Sequence, residues 1–302
     1  MTREAAQARA EQGQASSALS RRSPVRIERL CRLGEVSRAG YYRHLAECAP
    51  ARADADLRET IQTAALRNRS YGYRRIGTLL RREGTPVNNK RILRLMREDN
   101  LLCQRQAPFV PRTTDSRHDK RVWPNLVHHC IPTTLDQIWV ADITYIRLLE
   151  DFAYLAVILD AFSRKAVGWA LDGHLMASLA IEALDMAIVA RKPPPGQLIH
   201  HSDQGVQYAS LTYVERLEKA DIAPSMSARG NPYHNAKAES FMKTLKVEQV
   251  NAQAYRNLHE ARRDIGHFID VTYNQHRLHS ALGYRPPVEF EAMHLPKHRR
   301  NA

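Results

Sequence analysis

Between residues 137 and 172 the chain reads QIWVADITYIR, FAYLAVILDAFS and KAVGWALD, three closely spaced segments dense in β-branched and aromatic residues. Each has the composition of a strand. The first, 137–147, is apolar on both faces, as a strand in the middle of a covered sheet must be. The second and third, 152–163 and 165–172, meet at Ser163-Arg164, which predicts a tight turn and an antiparallel meander. A helical segment, SLAIEALDMAIVAR (178–191), follows and stops at Pro193-Pro194-Pro195-Gly196. QLIHHSD (197–203) then reads as a fourth strand. One residue disturbs the pattern: Asp142 stands alone inside the most apolar strand. An ionised carboxylate there is costly unless a metal, a cation or several donors meet it.

Asp203 ends the fourth strand, and a third acid lies on a helix. HNAKAESFMKTLKVEQV (234–250) places Ala238, Phe241, Met242 and Leu245 on one side and Glu239, Lys243 and Lys246 on another. Taken alone, that second face is an ordinary exposed Glu–Lys pair worth a few tenths of a kcal/mol. Three strands, a helix, a strand and further helices are the order of a ribonuclease-H-like α/β fold. Asp160 also ends a strand, and spacing does not exclude it from a site. His200 and His201 beside Asp203 suit a general base or an orienting role. Trp139 and Tyr208 read as core or wall rather than as base-stacking platforms.

The net charge of +13 is unevenly placed. Residues 1–133 hold 26 Lys and Arg against 13 Asp and Glu, whereas residues 134–302 hold 19 of each. A basic half joined to a neutral half suggests one region that grips a polyanion. Within the basic half, SPVRIERLCRLGEVSRAGYYRHL (23–45) breaks at Gly34 and restarts near Ser37. YRRIGTLLRREGTPVNNKRILRLMREDN (73–100) gives one helix with Ile76, Leu79 and Leu80 inward, a stop at Gly84, and a cap at Asn88 or Asn89. Its second helix turns Ile92, Leu93, Leu95 and Met96 inward. Helix, turn, helix is the outline of a DNA-binding hairpin, with Lys90, Arg91, Arg94 and Arg97 on the outer face as candidate phosphate contacts. A helical hairpin with a solvated exterior is the plain alternative.

Four scattered cysteines, with no C-x-x-C pair, signal neither a disulfide framework nor a zinc knuckle. His128, His129 and Cys130 are adjacent, poor geometry for three ligands on one ion. With no long apolar run and no apolar leader, the sequence is expected to be cytosolic. The organisation expected is a disordered basic tail (1–25), a helical DNA-binding region (26–103), a proline-containing linker (104–133), a catalytic core (134–292) and a basic tail (293–302).

Asp142, Asp203 and Glu239, with thirty-five residues between the last two, resemble the D, D, E triad of retroviral integrases and insertion-sequence transposases. The words WVADITYI, YLAVILDAFSRKAVGW, HHSDQGVQYAS, SMSARGNPYHNAKAESFMKTLKVE and YNQHRLHSALGYRPPVEFE resemble the OrfB-type transposase of the IS-three group of bacterial insertion sequences, over about residues 30–292. The resemblance implies an α/β fold in which a ribonuclease-H-like integrase catalytic core follows a helix-turn-helix-type region. It implies Asp142, Asp203 and Glu239 as ligands of two Mg²⁺ ions, with Mn²⁺ as a substitute, and Lys246 and, more weakly, Lys243 at DNA phosphates. The reaction implied is cleavage by water at the element's end, then attack of the freed 3′-OH on a target phosphodiester. Implied partners are double-stranded DNA (element ends and target), further copies of the chain, and an upstream OrfA-type product, separate or fused by frameshifting. The implied location is the bacterial nucleoid, with no membrane association. A DNA-binding regulator with an inert core and a nuclease that never joins DNA are the other classes. Arg277 and His279 suit either DNA contact or a closing structural segment. Where this family most often has aspartate before Asn235-Ala236, the chain has His234. That change removes a helix cap unless Asn235 replaces it, and it keeps open an inactive copy.

Overall fold

The computed structural model describes residues 27–48, 54–103, 121–128, 130–227 and 235–295. The readings of the 1–25 tail, of His129, of His234, of most of the linker and of the last residues of the C-terminal tail fall outside them. The chain divides into two compact units, Met1–Thr60 and Ile61–Ala302. The described part of the first holds α1 (Ile27–Leu33), α2 (Arg38–Cys48) and the start of α3 (Ala55–Arg67). The restart at Ser37 is as expected: its hydroxyl accepts the Gly40 N–H at 2.9 Å.

In the second unit α4 (Tyr73–Arg82) and α5 (Asn89–Glu98) form the anticipated hairpin. Ile76 and Leu80 meet Ile92, Leu95 and Met96 as buried faces, while Leu79 and Leu93 are half-buried. Gly84, at φ 86°, ends the first helix where a side chain would be strained. Asn88, not Asn89, caps α5 by accepting the Lys90 N–H at 2.8 Å.

Among the described residues the core is one five-stranded sheet in the order β3-β2-β1-β4-β5. Its strands are β1 (Ile138–Arg147), β2 (Phe152–Asp160), β3 (Ala166–Asp172), β4 (Ile199–Ser202) and β5 (Ala223–Met226). The first three run antiparallel, and β4 and β5 run parallel to β1. Helices α6 (Ala177–Arg191) and α7 (Leu211–Lys219) cover one face. On the other face lie α8 (Ala236–Glu248), α9 (Leu258–His267) and a π-helix (Phe268–His276). Alternation along the strands sorts the side chains. Ile138, Val140, Leu155 and Val157 face α8 and α9, whereas Trp139, Ala141, Ala156 and Ile158 face α6 and α7.

Two features depart from the sequence reading. The β2–β3 connection is not a two-residue turn at Ser163-Arg164; β2 stops at Asp160, whose carboxylate accepts the N–H groups of Phe162 and Ser163 and organises residues 161–165. Helix α7 and strand β5 were not anticipated individually. β5 reads APSM, and a proline in so short a run argues against a strand except at a sheet edge, where β5 lies. At the opposite edge the Asn274 amide pairs with both the N–H and the C=O of Ala166, at 3.0 and 2.9 Å, and so blunts the exposed ladder of β3.

The C-terminal segment ties the hairpin to the core. The Leu278 N–H donates to the Tyr71 hydroxyl at 2.9 Å, and Arg82 forms two hydrogen bonds with Glu289 on α10 (Pro287–His294). Arg277 is 7% exposed and makes a bidentate pair with Glu248 at 2.9 and 2.7 Å, and His279 beside it is 8% exposed. Both residues are packed into the closing segment. Glu291, also buried, collects the Ser163 hydroxyl, Lys165 and Arg191.

Candidate active site

Asp142 is in phase with Ile138 and Val140, so the alternation that buries those residues under α8 sends its carboxylate to the same side. The β1–β4 ladder pairs Ile138 with Ile199, Trp139 with His200 and Val140 with His201. Continued two steps, one residue past the end of β4, that register brings Asp203 level with Asp142, beside strands spaced about 4.8 Å apart. A tight turn then holds Asp203: its Oδ1 accepts the Gly205 N–H at 3.0 Å, and a Cβ at residue 205 would lie 2.9 Å from that oxygen. A side chain at 205 would therefore crowd that carboxylate.

The third acid arrives on α8, whose buried face is Ala238, Phe241, Met242 and Leu245, leaving Glu239 and Lys243 exposed and Lys246 half-buried. One hydrogen bond seats the start of this helix on β1. The Asn235 amide donates to the Ala141 carbonyl at 2.9 Å, one residue before Asp142. Asn235 makes no side-chain cap bond; its amide points inward instead. The Lys246 ammonium lies 4.6 Å from the centroid of the Tyr145 ring.

The charges report the same assembly. Burial lifts the Asp142 carboxyl from 3.8 to about 7, and the negative charges of Asp203 and Glu239 push the same way, against the Ile143 N–H and Lys246. Burial also raises Glu239. Burial lowers Lys246, and the Asp142 charge partly restores it. Two carboxylates that crowd each other and a third nearby have the chemistry of a hard-cation site. Among the described residues no three acidic, His or Cys side chains are already drawn together tightly enough to hold an ion. The oxygen donors of Asp142, Asp203 and Glu239 are of the kind that fits Mg²⁺.

The other candidates fall elsewhere. Asp160 is level with Trp139, three residues back along β1, and its carboxylate accepts the N–H groups of Asp136, Phe162 and Ser163 at 2.6–2.9 Å. It holds the turn. His200 pairs with the Tyr213 hydroxyl at 2.9 Å, and burial lowers it to about 3, so it is neutral and part of the core. His201 pairs with the Ser225 hydroxyl at 2.9 Å. Trp139 and Tyr208 are 0% and 3% exposed and offer no free ring to a base. Lys90, Arg91, Arg94 and Arg97 are exposed on α5 as expected, with Arg94 held to Glu98 at 2.9 Å. None of them is among the leading charges acting on Asp142.

Residues 132–232 and 220–287 match integrase core domain families, and residues 51–109 match an HTH-like domain. The transposase InsF of insertion sequence IS3A from Escherichia coli is 32% identical over 275 residues, which cover 89% of this chain and 95% of the relative. The chain belongs to the IS3 family of transposases. A 31 kDa protein of insertion element IS600 from Shigella sonnei is 38% identical over 86% of this chain and 97% of its own length. The transposase of IS904 from Lactococcus lactis is 37% identical over 73% and 87%. Among solved structures, the catalytic core of HTLV-2 integrase in complex with magnesium is similar at 17% identity, covering 52% of this chain and 97% of that one, with a TM-score of 0.41.

In this IS3-family transposase, Asp142 and Asp203 fall in the first integrase-core match, Glu239 in the second, and α4 and α5 in the HTH-like match. Sequence reasoning missed Asn235 as the link between α8 and β1, because its partner is 94 residues away. It also missed that the Tyr208 hydroxyl is buried without a hydrogen-bond partner. Among the described residues no helix is long and apolar enough to cross a membrane.

Proposed function

We propose that this transposase cleaves DNA at the ends of its element and joins the freed 3′-OH to target DNA, with Asp142, Asp203 and Glu239 holding two Mg²⁺ ions or Mn²⁺ in their place. The observation that supports this most is the parallel β1–β4 register, whose continuation past Val140 and His201 brings Asp203 level with Asp142. The pair sits in surroundings where the folded chain resists ionising Asp142 unless positive charge is supplied. Bound divalent cations would activate the attacking oxygen and stabilise the leaving one. The chain's own residues do the rest. Asp142 and Asp203 provide fixed oxygens from the sheet, Asn235 holds α8 so that Glu239 can close on them, and Lys246 and Lys243 offset the phosphate charge beside the acids. Lys90, Arg91, Arg94 and Arg97 give the hairpin a cationic face for duplex phosphates. Joining two ends calls for at least two copies on DNA. An upstream OrfA-type product is the expected partner, and the bacterial nucleoid the expected location.

The test mixes purified protein with labelled duplexes from the DNA flanking its gene and a plasmid target, in Mg²⁺ or EDTA, alongside Asp203→Asn and Glu239→Gln. Joined product that requires metal and is lost in both variants is the expected result. Cutting without joining points to a nuclease, and binding alone, with and without the upstream product, to a DNA-binding regulator.

A further inference from the structure

Tyr208 is 3% exposed, and its ring lies against His200 and Tyr213 with centroids at 6.2 and 5.4 Å. The Tyr213 hydroxyl is satisfied by His200 Nε2, but the Tyr208 hydroxyl has no hydrogen-bond partner. A buried, unpaired hydroxyl costs stability that phenylalanine would avoid at the same volume. The turn fixes where the residue sits. Gly205 N–H bonds to Asp203 Oδ1 and Tyr208 N–H to the Gly205 carbonyl, both at 3.0 Å, which keeps the tyrosine close to Asp203. Its ring belongs to the apolar layer beneath α6 and α7, while Glu239 and Lys246 come from α8 on the opposite face of the sheet. Tyr208 therefore approaches the acids from the side that the third carboxylate does not use. The charges of both Asp142 and Asp203 reach it, and they add to burial in keeping the phenol protonated and so a donor.

We propose that Tyr208 is a positioning residue of the acidic site, its hydroxyl donating a hydrogen bond to a carboxylate oxygen of the Asp142–Asp203 pair when a divalent cation draws that pair into its ligating arrangement. The inference rests on the reading of the pair as a metal holder. A ligating carboxylate uses one lone pair on the ion and leaves others that a buried site must satisfy. A fixed donor behind the ligand orients it and prevents rotation away from the ion, and loss of such a partner commonly costs 10–100-fold in metal affinity or activity, by order of magnitude.

Tyr208→Phe in the full chain removes only the hydroxyl. Three readouts test it: Tm in EDTA, the Mg²⁺ concentration at half of the metal-induced Tm rise, and strand-transfer rate against affinity for an end duplex. The expected result is a Tm in EDTA equal to or above wild type, a half-saturating Mg²⁺ raised about tenfold, and a slower rate with unchanged duplex affinity. An unchanged Mg²⁺ midpoint overturns the inference, whether or not Tm falls, since a purely structural hydroxyl would move only Tm. Wild-type protein that melts cooperatively but shows no Mg²⁺ response overturns the metal reading and the inference with it. A wild-type response that the variant reproduces overturns the inference alone.

Discussion

Asp142→Asn exchanges a carboxylate for an amide of nearly the same shape, so its effect on stability isolates the charge. The folded protein holds this proton up to about pH 7, whereas an ordinary aspartate loses it near 3.8. An acid with a raised folded pKa favours folding where it is protonated. Below the unfolded value both states carry the proton and nothing is lost. As pH rises from there to about 7, the unfolded chain ionises freely and the folded chain does not, and stability falls by about 1.4 kcal/mol per unit. A gap of about 3 units sets a ceiling of about 4 kcal/mol above pH 7 and about 1.5 kcal/mol at pH 5. Relaxation and water reaching the half-buried group reduce these, to about 2 kcal/mol at pH 8. In EDTA, Asp142→Asn should therefore melt roughly 4–8 °C above wild type at pH 8, with the gain mostly gone at pH 5. Mg²⁺ should raise the Tm of wild type and not of the variant. Thermal melts at the two pH values, with and without metal, provide the test. A variant no more stable than wild type at pH 8, or a gain equal at pH 5 and pH 8, refutes the argument that Asp142 is held in a site that resists its charge.

Three further outcomes follow from particular contacts. Arg277→Ala leaves Glu248 buried without its cation and should cost about 3–5 kcal/mol in denaturant unfolding; a loss below about 1 kcal/mol would restore a surface role to Arg277. Asn235→Ala removes the donor to the Ala141 carbonyl and should cost about 1 kcal/mol of stability. Because it loosens α8 against β1, strand transfer should fall more than tenfold beyond any change in Tm; equal activity at a temperature where both proteins are folded would count against the link. Lys90→Ala and Arg97→Ala should leave Tm unchanged, weaken duplex binding similarly across sequences, and each reduce the salt slope of log K by about 1. A salt slope that does not move would take α5 out of the DNA contact.

Some of this was readable in the chain because the signals are local. Runs dense in β-branched and aromatic residues gave β1 to β3, period 3.6 gave α4, α5, α6 and α8, and Gly84 and Asn88 marked ends that hold in three dimensions. Asp142 was conspicuous because it contradicts its own strand. Strand β5 was hidden because four residues with a proline carry too little pattern, and the β2–β3 turn was misplaced because it is built by the Asp160 side chain rather than by turn residues. The inward turn of Asn235 and the burial of Arg277 have no signature in composition, since both residue types are ordinarily polar and exposed.

The sequence by itself determined most of the strands and helices, though not α7 or β5, and which faces are apolar, where the cations collect, and that Asp142 needs a partner. Neighbouring side chains on one element are set by backbone geometry alone, so these properties survive without knowledge of the rest of the chain. Only the tertiary structure decided who the partners are. The parallel register that brings Asp203 level with Asp142, and the hydrogen bond from Asn235 that seats α8 on β1, join residues distant in the chain. Such pairings depend on how the sheet closes and how its two apolar layers fill, and no local pattern of residues encodes that choice.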